Sequence, residues 1–312
     1  MCLVWPVLTV YRVSTQLYTD ITHFILELIQ NADDNVYDSR VRPTLRLQLS
    51  RSELLVECNE VGFSEENVRA ICDLNASTKK WRKKVDDGCI GEKGIGEKNK
   101  FPELTFSGFK SVFAVATTVS IYSNGFNFAL DRRRQLGLLN PIIVEEPHPK
   151  ASPGWTLFVL GLEIDNDGFY AVKTRLQEIQ PEMLLFTRRL REIEITFGEV
   201  QRSNDTSAHS NNRVNTSEMI TYNVKMEEGC SQIYAITSAT MQSQTAVRYF
   251  RQELEVPDMP NHPHRLDVTE TKIILAFPFT TDHVPIIGEQ NIFAFMPLRK
   301  TSFPVFTVYP NH

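Results

Sequence analysis

Cysteine is scarce: five in 312 residues, with no CxxC pair among them, so neither a disulfide scaffold nor a zinc ribbon follows. Basic charge is in deficit. The 33 Lys and Arg face 38 Asp and Glu for a net −5, which argues against a chain whose main surface grips nucleic acid through clustered cations. No apolar run reaches the ~20 residues of a membrane helix. The opening stretch, Met1 to Val10, is apolar but lacks the basic flank and small-residue cleavage site of a signal peptide. Glycine and proline, at 14 and 16, are too few for a low-complexity chain. What is there is an ordinary globular composition, 42% hydrophobic and 23% charged, long enough for about two domains at ~150 residues each. The expectation is a soluble protein of the cytoplasm or nucleus, with its thiols reduced.

Apolar residues at positions 21, 24, 25, 28, 29 and 32 form the stripe of an amphipathic helix. A polar stripe runs beside it, with Glu27, Asn31 and Asp34 at i, i+4 and i+7. Such a row is either a solvated face or a cation and water site, in which the amide carbonyl holds a metal and the Glu polarises a water. Leu45, Leu47 and Leu49 alternate with polar residues, and the segment from Leu54 to Cys58 returns as the second strand of a hairpin. That strand runs into Asn59, Glu60, Val61, Gly62 and Phe63, where the glycine marks a place for the backbone to bend sharply or to approach a ligand closely. Ser64 reads as the N-cap of a helix through Val68, Ile71 and Cys72. Gly91, Gly94 and Gly96 have GxxGxG spacing, which leaves backbone N–H groups open to a phosphate, although an ordinary loop has the same composition.

Further along, Asn124 and Gly125 between alternating segments predict a tight hairpin. A helix is expected over about 170–190, then a strand at 193–197 and a long polar loop or junction at 201–217. Short strands at 232–236, 246–250, 272–277 and 291–295 follow.

Taken in order, Glu27 to Asp34, Asn59 to Phe63 and Gly91 to Gly96 resemble the N, G1 and G2 boxes of the GHKL superfamily. That group holds the gyrases, the large heat-shock chaperones, the histidine kinases and the MutL proteins, and the nearest likeness is to its sacsin-like branch. The resemblance spans roughly residues 15–200. It implies an α+β fold over 1–200, a Bergerat-type sandwich whose mixed, mostly antiparallel sheet carries helices on one face. A second, β-rich mixed domain would begin at 201 and remain incomplete at 312.

The resemblance also implies ATP and Mg²⁺ as ligands. Glu27, in an N box over 27–35, would be the general base and Asn31 the Mg²⁺ ligand, with Asp34 near the nucleotide. Gly91, Gly94, Ile95, Gly96 and Phe109 would surround the phosphates beneath a lid at 75–90, whose basic run 79–84 is either a solvated loop or brings Lys79 or Lys80 to the γ-phosphate. Gly62 belongs to the G1 box, and Thr156 takes the place of a threonine that contacts adenine.

Two departures stand out. Cys58 occupies the position of the family's adenine-binding Asp and Glu60 that of its first G1 glycine, so Glu60 or Asn59 would have to take over the base. The segment Glu97 to Gly108 separates Gly96 from Phe109, which the family joins directly, and it reads as translated intron or as a tolerated loop insertion.

The implied function is the ATP-binding module of a chaperone-like ATPase, slow hydrolysis driving lid closure. The alternative is a degenerate, non-hydrolysing nucleotide-sensing or scaffold module. Expected partners are ATP or ADP, protein clients or further domains of a larger protein, and a transient dimer; neither membrane nor nucleic acid is expected.

Overall fold

The computed structural model describes residues 23–72, 108–198, 218–257, 271–286, 289–294 and 296–304. Lys79, Lys80, Gly91, Gly94, Ile95 and Gly96, the lid, and the insert apart from Gly108 lie outside those residues. The chain divides into two compact units, Met1–Ile179 with Ile193–Ile220, and Gln180–Glu192 with Thr221–His312.

The first unit runs α1 (His23–Asp34), β1 (Thr44–Leu49), β2 (Glu53–Cys58), α2 (Glu65–Cys72) and a 3-10 turn Gly108–Ala114. It continues β3 (Ala116–Ser123), β4 (Phe126–Asp131), β5 (Ile142–Ile143), β6 (Thr156–Leu162), α3 (Asn166–Gln177) and β7 (Glu192–Phe197). The strands lie in the order β7-β1-β2-β6-β3-β4-β5. Pairing is antiparallel from β1 to β5. At β7, the Gly198 N–H donates to the Leu49 carbonyl (2.9 Å), which brings the C-terminal ends of β7 and β1 together. An α+β architecture on a mostly antiparallel sheet is therefore present.

Register explains the core. Leu45, Leu47 and Leu49 stand opposite Cys58, Val56 and Leu54, and those three stand opposite Thr156, Phe158 and Leu160. Alternation along a strand puts all of them on one face. The helix α1 buries Phe24, Ile25, Leu28, Ile29 and Ala32, the larger side chains each contributing about 1.5–3 kcal/mol. The residues between take the other face, which the segment 144–155 crosses. There His148 meets the Tyr122 ring at 5.7 Å, Lys150 pairs with Glu53 at 2.7 Å, and the Ser152 N–H donates to Glu57 at 3.1 Å. Arg46 lies 3.9 Å over Trp155 and pairs with Glu194 at 2.7 Å.

The β3–β4 hairpin turns on Asn124 (φ 46°) and Gly125 (φ 83°), as the Asn-Gly pair predicts. The Ser64 hydroxyl caps α2 by accepting from the Asn67 N–H at 3.4 Å. The single helix expected over 170–190 is two elements. α3 ends at Gln177 and a 3-10 turn, Pro181–Leu185, follows, because Pro181 has no N–H to continue a helix and would clash with the preceding turn.

In the second unit β8 (Glu218–Met226), β9 (Ile233–Thr240), β10 (Gln244–Val256) and β11 (Thr271–Phe279) lie in the order β11-β10-β9-β8. A separate pair joins β12 (Glu289–Ala294) to β13 (Met296–Pro304). The expected strands are all present and most are longer than their apolar cores. Among the described residues no helix is long and apolar enough to cross a membrane.

Candidate functional site

Glu27, Asn31 and Asp34 flank the buried stripe of α1, and all three are half-buried. A polar row in that position is held by the helix yet open on one side. The preceding residue, Asp33, is only 2% exposed. It stands four residues after Ile29 and so continues the buried stripe. Sequence reasoning chose Asp34 and passed over Asp33, although that i+4 spacing was the available signal.

After α1 the chain folds back on the helix end. The Asn35 N–H donates to the Ala32 carbonyl (3.3 Å), and the Tyr37 hydroxyl donates to the same oxygen at 2.6 Å. That hydroxyl lies 3.0 Å from the Cys58 Sγ, and Asn35 Nδ2 reaches the same sulfur at 4.0 Å. The Val61 N–H donates to the Val36 carbonyl at 3.0 Å. One side of the loop 58–63 is thus stitched to the residues that follow α1.

Its other side is stitched to the β3–β4 turn. The Phe63 N–H donates to Ser123 Oγ (2.9 Å) and Asn124 Nδ2 donates to the Phe63 carbonyl (3.1 Å). Gly62 has φ +86°, and a Cβ there would lie 2.7 Å from the Asn124 Cβ. The expected bend is present, and the side chain that comes closest to the glycine is Asn124. Thr156 is fully buried opposite Cys58, with its hydroxyl 2.6 Å from Ser123 Oγ.

Electrostatics mark the centre of this clamp. Burial pushes the Cys58 thiol up to about 12 and the nearby Glu60 charge adds to the shift, while its contacts with Tyr37 and Asn35 oppose it. The thiol is therefore neutral at physiological pH. Burial also raises the Tyr37 phenol, with Cys58, Glu60 and Asp33 contributing. Glu60, 7% exposed, belongs to this cluster. Asn59 does not. Its Oδ1 accepts from the Thr44 N–H (2.8 Å) and its Nδ2 donates to the Arg42 carbonyl (2.7 Å), so its amide closes the β1–β2 hairpin.

Phe109 lies in the 3-10 turn that packs against α1. Its ring sits 5.3 Å from that of Phe158, which Phe63 meets from another side at 5.9 Å. The structure so brings Glu27, Asn31 and Asp34 together on one helix, and joins that helix end to Glu60 and Thr156 through Tyr37 and Cys58. Nothing in the sequence pattern singled out Asn35 or Tyr37, whose role depends on a strand more than twenty positions away.

The donor set suits a magnesium nucleotide at one end. An amide carbonyl and carboxylates on successive turns are hard oxygen ligands, and Mg²⁺ normally completes its shell with phosphate and water. Among the described residues no group of three or more His, Cys, Asp and Glu side chains is placed to hold an ion alone. Were a purine held beside Cys58, the neutral thiol would be a weak acceptor for its amino group and the Glu60 carboxylate a stronger one. The residues fit the ligand on that condition.

No family model matches the chain. Over 196 residues it is 37% identical to Protein NO VEIN of Arabidopsis thaliana, an alignment covering 57% of this chain and 7% of that protein. The chain thus matches only a small part of that relative.

Proposed function

We propose that the first unit is an ATP-binding module of GHKL type with a Bergerat arrangement, belonging to a chaperone-like or conformational-switch protein. The observation that carries the reading is α1, whose apolar stripe is buried while Glu27, Asn31 and Asp34 stand half-buried beside it. Asn31 would hold Mg²⁺ through its carbonyl, and Glu27, one turn earlier, would take a proton from the attacking water. The ion, when bound, would neutralise phosphate charge as a Lewis acid. Glu60 would accept from the adenine amino group in place of the family's Asp, with Thr156 behind it. Lys79 and the glycines at 91, 94 and 96 keep their proposed roles at the phosphates.

A second reading, a module that binds nucleotide without turnover, is favoured by one observation: Cys58, at the Asp position, is neutral and held by Tyr37.

Calorimetric titration with ATP·Mg²⁺ and ADP·Mg²⁺, together with a turnover assay, separates these readings. Glu27→Ala should retain affinity and lose about 10²–10⁴ in rate, because a general base contributes little to ground-state binding. Asn31→Ala should weaken the binding of ATP·Mg²⁺ itself. Binding without turnover in the unaltered chain selects the second reading. Absence of binding, or equal loss of affinity in both variants, overturns the assignment.

A further inference from the structure

Four hydrogen-bonding groups form a continuous relay from strand to helix. Asn35 Nδ2 reaches the Cys58 sulfur, the sulfur meets the Tyr37 oxygen, and the Tyr37 hydroxyl ends on the Ala32 carbonyl. Since the hydroxyl donates to Ala32, the thiol is the donor in the sulfur–oxygen contact, which agrees with a thiol that keeps its proton. The relay passes through the end of β2 at Cys58, two residues before Glu60 and opposite Thr156. It ends on the residue next to Asn31. The backbone bond from Val61 N–H to the Val36 carbonyl runs alongside it, so the joint has two strands: a backbone bond that any residue could make, and a side-chain relay that needs a phenol.

We propose that Tyr37 is a positioning residue of the nucleotide site, its hydroxyl locking the last turn of α1 to the end of β2 so that the metal-binding and base-binding ends act as one body. The proposal rests on the ATP reading above. Its chemistry is specific. The ring alone fills space between the helix end and the sheet, whereas the hydroxyl fixes distance by accepting from one element and donating to the other. A rigid link of that kind makes two sites report on each other, because a change at one end is felt at the other only if the element between them has a defined position.

The test is a double-mutant cycle read by calorimetry with ATP·Mg²⁺ on the full chain. Affinity is measured for the unaltered chain, Asn31→Ala, Glu60→Ala and the pair, and again for all four with Tyr37→Phe. The losses from Asn31→Ala and Glu60→Ala should be non-additive by about fivefold or more with the hydroxyl present, and additive within about twofold without it. Cys58→Ala, which cuts the relay at its other bond, should also restore additivity. Tyr37→Phe alone should weaken ATP·Mg²⁺ binding by about three- to tenfold, the effect of one neutral hydrogen bond. A hydroxyl with a merely structural role would lower the melting temperature and leave the coupling as it was.

Hydrogen exchange without nucleotide supplies a readout independent of binding. In Tyr37→Phe the amides of 32–36 and 59–62 should lose protection together while β3 and β6 keep theirs. Coupling that survives loss of the hydroxyl, or no coupling in the unaltered chain, overturns the positioning role alone. No binding of ATP·Mg²⁺ by the unaltered chain overturns the nucleotide reading and the positioning role with it.

Discussion

The two ends of the candidate site are built on opposite plans. Along α1, Glu27, Asn31 and Asp34 stand half-buried at the edge of a buried stripe, on positions that the helix backbone sets. In the loop after β2 most polar groups are turned inward. Asn59 closes a hairpin, the Phe63 amide and carbonyl hold Ser123 and Asn124, and the Cys58 thiol meets Tyr37. A helix presents chemistry from a scaffold already satisfied by its own hydrogen bonds, whereas a loop must satisfy its backbone with whatever lies near. Under the proposed ATP reading, α1 would supply the metal end in the superfamily's manner, and the base end would be the distinctive part, rebuilt around the Cys58 thiol and the Tyr37 phenol.

The strongest way to break this comparison is at Glu60. If it alone receives the base, Glu60→Ala should cost about 1.5–3 kcal/mol of ATP affinity, the value of a hydrogen bond to a charged group, and should relax discrimination against GTP. Unchanged affinity and selectivity, measured by competition between the two nucleotides, would return the role to water or to another group. Asn59→Ala sharpens the contrast from the other side. It strips the amide from Thr44 and Arg42, so about 1–3 kcal/mol of stability should go, with nucleotide affinity within about twofold of the unaltered chain. A large loss of affinity at unchanged melting temperature would show that Asn59 belongs to the site.

One further effect is confined to alkaline pH. In the unfolded chain the Cys58 thiol ionises near its ordinary 9.0, and in the folded protein it keeps its proton until about 12. The folded state thus binds more protons in that window, and stability falls as pH rises through it. The raised Tyr37 phenol acts in the same direction above its ordinary range. Below pH 9 Cys58 contributes no slope. Melting curves across the window should fall less steeply for Cys58→Ser than for the unaltered chain; parallel curves would mean that the thiol is not held as described.

The same contrast decides what could be read from the sequence. α1 and the β1–β2 and β3–β4 hairpins were legible because their signals are local: a 3.6-residue stripe, a two-residue alternation and an Asn-Gly turn. The polar row of Glu27, Asn31 and Asp34 was legible for the same reason, since its residues share one helix. The break at Pro181 was written in the chain, but the apolar spacing around it masked the proline. The clamp on 58–63 left no such mark. Tyr37 acquires its role from Cys58, Gly62 from Asn124 and Thr156 from Ser123, and each of those partnerships depends on how strands distant in sequence are ordered. That the Asn59 amide closes the β1–β2 hairpin was likewise hidden until the hairpin placed it against Thr44 and Arg42.

The most direct test of the account is to ask where the metal sits. With Mn²⁺ replacing Mg²⁺ in the ATP complex, paramagnetic broadening in the NMR spectrum of the labelled chain reports distance from the ion. Amides of the α1 turns carrying Glu27, Asn31 and Asp34 should broaden first and those of β2 near Cys58 and Glu60 later, with the effect lost in Asn31→Ala. Broadening that spares α1, or that persists unchanged in Asn31→Ala, would contradict it.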